Sequence, residues 1–167
     1  GDTRFWRELF TSMPGVEASV ITAEDLGDDP APDGDGYDVV VYAGVDVPEN
    51  PKAPFLAVAA AGGIDGVTVT GVAETPAVTL LRTDVDLLAD VDLTQVAISQ
   101  ALRITVADDV DVLVAGENAP LLVRGQSGGQ RFALLTFRLS DSNLPLQVAF
   151  PILGDRLLTE LSGTALA

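Results

Sequence analysis

The chain has 167 residues, of which 47% are hydrophobic, and its 25 acidic and 9 basic side chains give a formal net charge of −16. This composition fits a single globular domain over residues 1–167, and the negative charge argues against nucleic acid as a partner. The chain has no Cys and no His, which excludes a cysteine nucleophile, a Ser-His-Asp triad, a Cys/His zinc site and disulfide bonds.

The N-terminal region is predicted to form a helix and then a strand. Residues 3–13 place apolar side chains at helical spacing, namely Phe5, Leu9 and Met13, with Trp6 and Phe10 beside them. Pro14 ends this helix, and residues 16–22 alternate as a strand. Because α/β domains do not normally begin with a helix, we expect a further strand just before Gly1, missing from this sequence.

An acidic loop follows at residues 23–37, and its end resembles the start of a calcium-binding loop. The EF-hand pattern requires an oxygen ligand at its fifth position, Gly at its sixth and Glu at its twelfth. Counted from Asp33, these positions hold Tyr37, Asp38 and Gly44. The match fails, so the sequence favours a structural loop over a calcium site, with weak adventitious cation binding as the alternative.

The middle of the chain is predicted to be rich in strands. Residues 38–43 read as a buried strand, 44–54 as a loop, and 55–60 as a strand or the start of a short helix. Further strands are predicted at residues 67–72, 78–82, 96–106 and 110–115. The glycines at 62–66 lack the Lys and Ser/Thr of a phosphate-binding loop.

A cluster of acids separates two of these strands, formed by Asp84, Asp86, Asp90 and Asp92. Paired carboxylates could serve acid–base chemistry or bind a metal ion. Acids at this spacing are more often the solvated side of a short helical turn. The sequence favours the solvated turn and leaves the other two interpretations open.

The last third of the chain, residues 119–161, is predicted as strand, tight turn, strand, loop and helix. Gln126 to Gly129 forms the turn, because two glycines permit positive φ angles. Residues 132–137 form an apolar strand, and Ser140 to Asn143 break it with side chains that bond to nearby backbone. The closing helix shows apolar residues at helical spacing: Phe150, Leu153, Leu157, Leu158 and Leu161.

These elements predict an α/β domain with a three-layer, flavodoxin-like sheet. The sheet is expected to be mostly parallel with antiparallel additions at one edge, and to lack its first strand. Residues 38–43 and 132–137 are its expected central pair. An edge exposed by the missing strand would permit a homodimer through strand pairing.

The last third also resembles a known family. The matching residues are Pro120-Leu121-Leu122, Gly128-Gly129, Arg131, Phe137, Leu139, Asp141 to Leu146 and Ala149 to Leu153, together with Pro14 to Glu17 near the start. This pattern is similar to the class I glutamine amidotransferase-like domains of bacterial membrane proteins that also carry a von Willebrand factor type A domain. No D-x-S-x-S motif of the latter domain occurs in this chain.

The resemblance implies a fragment of a longer, membrane-associated protein, with an extracytoplasmic location favoured. Amidotransferases of this fold use a cysteine and a histidine, and this chain has neither. The resemblance therefore implies an interaction or structural domain that is not an enzyme and needs no cofactor. Its partner would be another protein or other domains of the same chain, and this segment would not insert into the membrane.

One candidate binding site remains, at Asp141, Ser142 and Asn143. These residues follow a predicted central strand, where open α/β sheets bind ligands at their carboxyl ends. The competing interpretation, which the sequence favours, is that Ser142 or Asn143 caps the last helix and closes the loop. The alternative functions are thus a small-molecule module for a carbohydrate or cation, or an enzyme that uses carboxylates alone.

Overall fold

The computed structural model describes residues 6–7, 18–22, 35–48, 50–60, 62–74, 78–81, 96–116, 119–144 and 149–162. In chain order its strands are β1 (Ala18–Thr22), β2 (Val39–Ala43), β3 (Phe55–Val58), β4 (Val67–Glu74), β5 (Val78–Leu81), β6 (Gln100–Val106), β7 (Asp111–Gly116), β8 (Pro120–Ser127) and β9 (Gln130–Leu135). A 3-10 turn at Leu139–Asp141 precedes helix α1 (Ala149–Ser162). Trp6 and Arg7 are helical, and the rest of the predicted N-terminal helix lies outside the described residues.

Seven strands form the main sheet, in the order β1-β2-β3-β9-β8-β7-β5. The strands β1, β2, β3 and β9 are parallel, whereas β8, β7 and β5 are added antiparallel at one side. The predicted α/β class, with antiparallel additions at one edge of a parallel sheet, is confirmed. The predicted central pair is wrong, because β3 lies between β2 and β9 and pairs with both.

The central strands bury both of their faces, and successive residues point to opposite layers, as a strand requires. One layer takes Val39, Val41, Leu56, Val58, Ala133 and Leu135. The other takes Val40, Tyr42, Phe55, Ala57, Phe132 and Leu134. On this second face the rings of Phe55 and Phe132, which are partners in the β3–β9 register, stack with centroids 5.6 Å apart.

Helix α1 covers the first face of the sheet. Its buried side chains are Phe150, Leu153, Leu157 and Leu161, which confirms the predicted apolar stripe at these positions. Trp6 packs beside them, and its ring meets that of Phe150 edge-on at 5.8 Å. The two ends of the chain therefore share one hydrophobic layer.

The second face carries a two-stranded antiparallel ribbon of β4 and β6, which differs from the helices that doubly wound folds place on both faces. Ile104 of β6 is buried against this face, with Leu102 and Val106 partly buried there. The first half of β4 alternates β-branched Val and Thr, which suits a half-covered strand better than a helix. In the described part of the chain, the layers are thus helix, sheet and ribbon.

The hairpin between β8 and β9 turns at Gly128 and Gly129, whose φ angles are 58° and 83°. Positive φ at both central residues is the signature of a tight two-residue hairpin turn. The predicted turn is confirmed at the two glycines, whereas Gln126 and Ser127, which were predicted to belong to it, are the last residues of β8. The end of the hairpin is also bonded to the segment just before β4, because the backbone N–H of Asp65 donates to the Ser127 hydroxyl at 2.9 Å. The hairpin reverses the chain, so that β9 runs parallel to β3. The carboxyl ends of β3 and β9 therefore lie side by side.

Trp6 offers a test of the helical layer. Its side chain is 1% exposed, yet its indole N–H has no hydrogen-bond partner among the described residues. We expect Trp6→Ala to lower the free energy of unfolding by about 3–5 kcal/mol. Trp6→Phe should stay within roughly 1 kcal/mol of the wild type, because it removes a buried donor that makes no bond.

Urea denaturation followed by far-UV circular dichroism measures both values, since these variants lose the chain's one tryptophan. Equal destabilisation by Trp6→Phe and Trp6→Ala would contradict the unbonded state of the indole N–H.

Candidate functional site

The carboxyl ends of β3 and β9 border a cleft of about 150 Å³. Open α/β sheets bind ligands at this edge, where strand connections diverge. The cleft draws residues from four segments of the chain: Ala59, Val72, Gln100, Ala101, Leu102, Thr136, Phe137, Arg138 and Asp141. The residues that directly follow β3 and β9 line one side of it, and residues of the ribbon line another.

Ala59, directly after β3, has the most unusual backbone of the site. Its φ is +58°, which makes it the one non-glycine residue with positive φ in the described part of the chain. Its N–H donates to the carbonyl of Leu135 at 2.8 Å and so extends the β3–β9 pairing by one bond. An L-residue pays roughly 1–2 kcal/mol for this conformation, and such strain concentrates at functional sites.

A sharp, strained turn after a strand is where α/β-hydrolases expose their nucleophile. Here that position carries only the methyl group of alanine, and the whole chain has no Cys or His to replace it. The turn at Ala59 shares a strained backbone with such an elbow, but in the described residues it leads to strand β4 and not to a helix, and its side chain is not reactive.

Thr136 is the hydroxyl-bearing residue of the cleft lining, and its hydroxyl is already used. The side chain is 1% exposed, and its O–H donates to the carbonyl of Pro120 at 2.9 Å. Its backbone N–H donates to Leu121 at 3.0 Å, and its carbonyl accepts from the N–H of Leu102 at 2.8 Å. Thr136 thus joins β8, β9 and the ribbon, which leaves its hydroxyl unavailable as a nucleophile.

The polar rim of the cleft consists of Gln100, Arg138 and Asp141. Gln100 and Arg138 are exposed and Asp141 is half-buried. Within the described ranges, the charged ends of Arg138 and Asp141 form no ion pair. A guanidinium and a carboxylate at one rim offer complementary partners to a carboxylate and a cation, respectively.

Of the three predicted site residues, Asp141 lines the cleft. Its backbone belongs to the 3-10 turn, where its N–H donates to the Arg138 carbonyl at 3.0 Å. Its own carbonyl accepts from the N–H and the hydroxyl of Ser99, at 2.7 and 3.0 Å. The backbone is thus anchored on both sides while the carboxylate remains available to a ligand.

Ser142 and Asn143 organise the loop. The Ser142 hydroxyl donates to the Leu139 carbonyl at 3.2 Å and accepts from the N–H of Leu144 at 3.2 Å. The Asn143 side-chain oxygen accepts from the N–H of Ala97 at 2.7 Å, and its own N–H donates back to Ala97 at 3.1 Å. These bonds are those of the loop-closing interpretation, and a ligand role for the three residues stays a prediction.

Sequence reasoning missed Ala59 and Arg138. Nothing in the run of small residues at 57–61 signals a positive φ, because alanine has no preference for that conformation. Arg138 lies two residues before the Ser140–Asn143 loop, and this proximity was the available signal.

A larger cleft, of about 380 Å³, lies at the opposite end of β9. Its central side chain is Arg124, which contacts Glu160 at 2.7 Å and Asp111 at 3.7 Å. This ion network ties helix α1 to β7 and β8. Arg124, Asp111 and Glu160 satisfy one another, so we interpret the centre of this cleft as a structural contact; Asp109 and Arg131 also line it.

The acidic cluster at Asp84, Asp86, Asp90 and Asp92 lies outside the described residues, as does the start of the calcium-like loop at Asp33. Among the residues that are described, no three His, Cys, Asp or Glu side chains converge as metal ligands. Likewise, no helix in the described ranges is long and apolar enough to cross a bilayer.

Comparison with known proteins defines the fold. No protein-family model and no curated protein matches the chain. Among solved structures, the chain is similar to cytoplasmic protein STM3548 from Salmonella typhimurium, with a TM-score of 0.71 and 13% identity over 94% of this chain and 85% of the other. It also resembles cytoplasmic protein STM1381 from Salmonella typhimurium LT2, with a TM-score of 0.56 and 13% identity over 75% and 72% of the two chains.

These neighbours correct one expectation. Both carry the word cytoplasmic in their names, which contradicts the expected membrane-associated, extracytoplasmic location. It had followed from the resemblance to domains of membrane proteins, and no feature of the residues themselves required it. At 13% identity the neighbours support the fold alone.

The strain at Ala59 predicts opposite signs for two alanine-to-glycine changes in one segment. We expect Ala59→Gly to raise the free energy of unfolding by about 0.5 kcal/mol, because relief of the positive φ exceeds the entropy cost of glycine. Ala57→Gly, at a fully buried extended position of β3, should lower it by about 1.5 kcal/mol.

Chemical denaturation of the two variants beside the wild type measures both changes. A loss of stability in Ala59→Gly as large as that in Ala57→Gly would contradict the strained turn.

The loop residues predict a separate contrast. Asn143→Ala should lower the free energy of unfolding by about 0.5–1.5 kcal/mol, since it removes the side-chain acceptor of the Ala97 N–H. Asp141→Ala should change it by less than about 0.5 kcal/mol, because its carboxylate has no partner in the described structure. Thermal and urea unfolding of the two variants measure these changes. A large loss of stability in Asp141→Ala would assign that residue a structural role.

Proposed function

We propose that this chain is a non-catalytic interaction domain of amidotransferase-like type that binds a partner protein at the cleft beside Ala59. The single observation that carries the proposal is the strained turn at the carboxyl edge of the sheet, where Ala59 has a positive φ and lines the cleft. This edge is where open α/β sheets bind ligands, and the side chain of Ala59 is only a methyl group, which supports binding without catalysis.

The residues around the cleft support binding over chemistry. The Thr136 hydroxyl already donates to the carbonyl of Pro120 in β8, and Asp141 is the one carboxylate among the lining residues. Acid–base hydrolysis of the glycosidase type needs two carboxylates at defined separation. The resemblance of the last third to amidotransferase-like domains, joined to the missing Cys and His, points the same way.

The dimensions of the cleft favour part of a macromolecule as its occupant. Pockets for drug-sized ligands have volumes of roughly 300–1,000 Å³, and this cleft has about 150 Å³. A polar side chain or a chain end of a partner protein fits that space. Arg138 and Asp141 would fix its orientation through charge-assisted hydrogen bonds. The partner is either a separate protein or another domain of the same chain.

A small polar molecule is the second candidate, and the two opposite charges at the rim favour it. A compound carrying both a carboxylate and a cationic group would match Arg138 and Asp141 together. A thermal-shift screen of such compounds and of sugars tests this, because a ligand bound only by the folded state raises the melting temperature. A shift that disappears in Arg138→Glu would favour this candidate over a protein partner.

The interaction domain is tested with two matched charge reversals at opposite ends of β9. Arg138 and Arg131 are both exposed, and neither forms an ion pair within the described ranges. We expect Arg138→Glu to weaken binding of the partner at least about tenfold, since it places a repelling charge at the cleft. Arg131→Glu should leave binding unchanged.

Proteins from the source organism are captured on the wild type and on both variants, identified by mass spectrometry, and titrated in purified form by calorimetry. Equal affinity of the wild type and Arg138→Glu for every captured protein would contradict the proposal. Turnover of glutamine or another amide by the purified domain, detected as released ammonia, would contradict its non-catalytic character.

A further inference from the structure

The outer strand of the ribbon, β4, has one edge that no other described strand pairs with. Its residues from Val67 to Ala73 include no charged side chain and no proline. Most of the strand is exposed, with Val69 at 45% and Val72 at 51%. Edge strands are usually protected by charges, proline or a cover, because their free N–H and C=O groups pair readily with another chain.

A bulge gives this edge an apolar face. The register shifts between Val69 and Gly71, so that Val69 lies opposite Ile104 and Val72 lies opposite Leu102. Directly paired residues point to the same side of a sheet, and the two β6 partners pack on the main sheet. Val69 and Val72 therefore share that side. Because β4 is the outer strand, the side chains of Val69 and Val72 extend beyond the main sheet and remain about half exposed. We call this exposed apolar surface the overhang.

The overhang adjoins the cleft. Val72 is a lining residue of the cleft as well as a member of the exposed strand, so the two surfaces are continuous. A chain segment added along β4 would pass the wall of the cleft and bring its side chains toward Arg138 and Asp141.

The charges of the protein select the kind of segment. Exposed acids stand at both ends of the strand, with Asp65 two residues before it and Glu74 as its last residue. The whole chain carries −16, so pairing with a second copy of itself would bring two strongly negative bodies together. A basic segment would be attracted to the same edge.

We propose that the free edge of β4 accepts an extended basic segment of the partner protein as a third strand of the ribbon, an inference that rests on the proposed interaction function. The segment has β-branched apolar residues at its centre, which continue the face of Val69 and Val72. It has Lys or Arg at its ends, which face Asp65 and Glu74. Backbone hydrogen bonds supply the affinity and the alternate side chains supply the selectivity, as in other cases of strand addition.

Three labelled peptides test this, with fluorescence anisotropy as the readout: KKVTVTVKK, its glutamate-ended form EEVTVTVEE, and KKVTPTVKK. The first meets the proposed requirements. The second reverses the end charges, and the third keeps the charge but cannot form a continuous strand. At about 0.15 M salt, where unspecific attraction is screened, we expect the first to bind at least about tenfold more tightly than the others. Equal binding of the first and third would reduce the effect to unspecific charge attraction and overturn the inference.

Two lysine substitutions on the ribbon locate the site. Val69→Lys adds a positive charge on the free edge and should weaken binding of KKVTVTVKK at least about tenfold. Thr105→Lys adds the same charge on an exposed position of the inner strand β6 and should leave binding unchanged. Equal effects of the two substitutions would place the peptide elsewhere.

Two further outcomes separate this inference from its rivals. A wild-type dimer in sedimentation velocity that dissociates in Val69→Lys would make a second copy the occupant and overturn the basic segment. If no peptide binds while Arg138→Glu still loses the captured partner, the edge inference fails and the proposed function stands. If the peptide binds at the edge but Arg138→Glu still binds every captured partner, the cleft is not the partner's binding site, and strand addition at β4 is still supported.

Discussion

The structure depends on the burial of the β2–β3–β9 core on both of its faces. Each strand sends alternate residues into two separate apolar layers, and Phe55 stacks on Phe132 across the strand pair. Such a sheet has no polar face on which to build a site. Functional groups can stand only where the strands stop, and the cleft beside Ala59 and Arg138 is one such place. The position of the site is thus a consequence of the packing.

The same burial explains which parts of the fold could be predicted. The apolar strands 39–43 and 130–135, the glycine turn between β8 and β9, and the stripe of α1 carry local patterns that packing reinforces. The neighbour relations of buried strands have no local pattern, because a continuous apolar run fits equally well at several places in a sheet. For this reason β3 was not predicted to lie between β2 and β9. The sequence also did not predict the ribbon over the second face, because the alternating residues of β4 would fit an edge strand of the main sheet equally well.

The site was predictable in part, for a related reason. The Ser140–Asn143 loop stands out because its side chains bond backbone, and that property makes Ser142 and Asn143 structural in the fold. Asp141 lines the cleft because its backbone groups hold the loop, while its carboxylate has no partner among the described residues. The strain of Ala59 arises from the junction of β3 with β9 and has no signature in residue type. The sequence identifies candidate polar groups, and the strand ends decide which of them face a ligand.

The contact of Trp6 with Phe150 and the pairing of β3 with β9 also constrain how the molecule is made. Both join early parts of the chain to its last third, and contacts of such long range slow folding. During synthesis β1, β2 and β3 leave the ribosome well before β9, with the apolar edge of β3 unpaired in the interval. Such an edge is prone to association with other chains until it is covered. The final quarter of the chain therefore acts as the closing step of folding, and premature termination there would leave an aggregation-prone sheet.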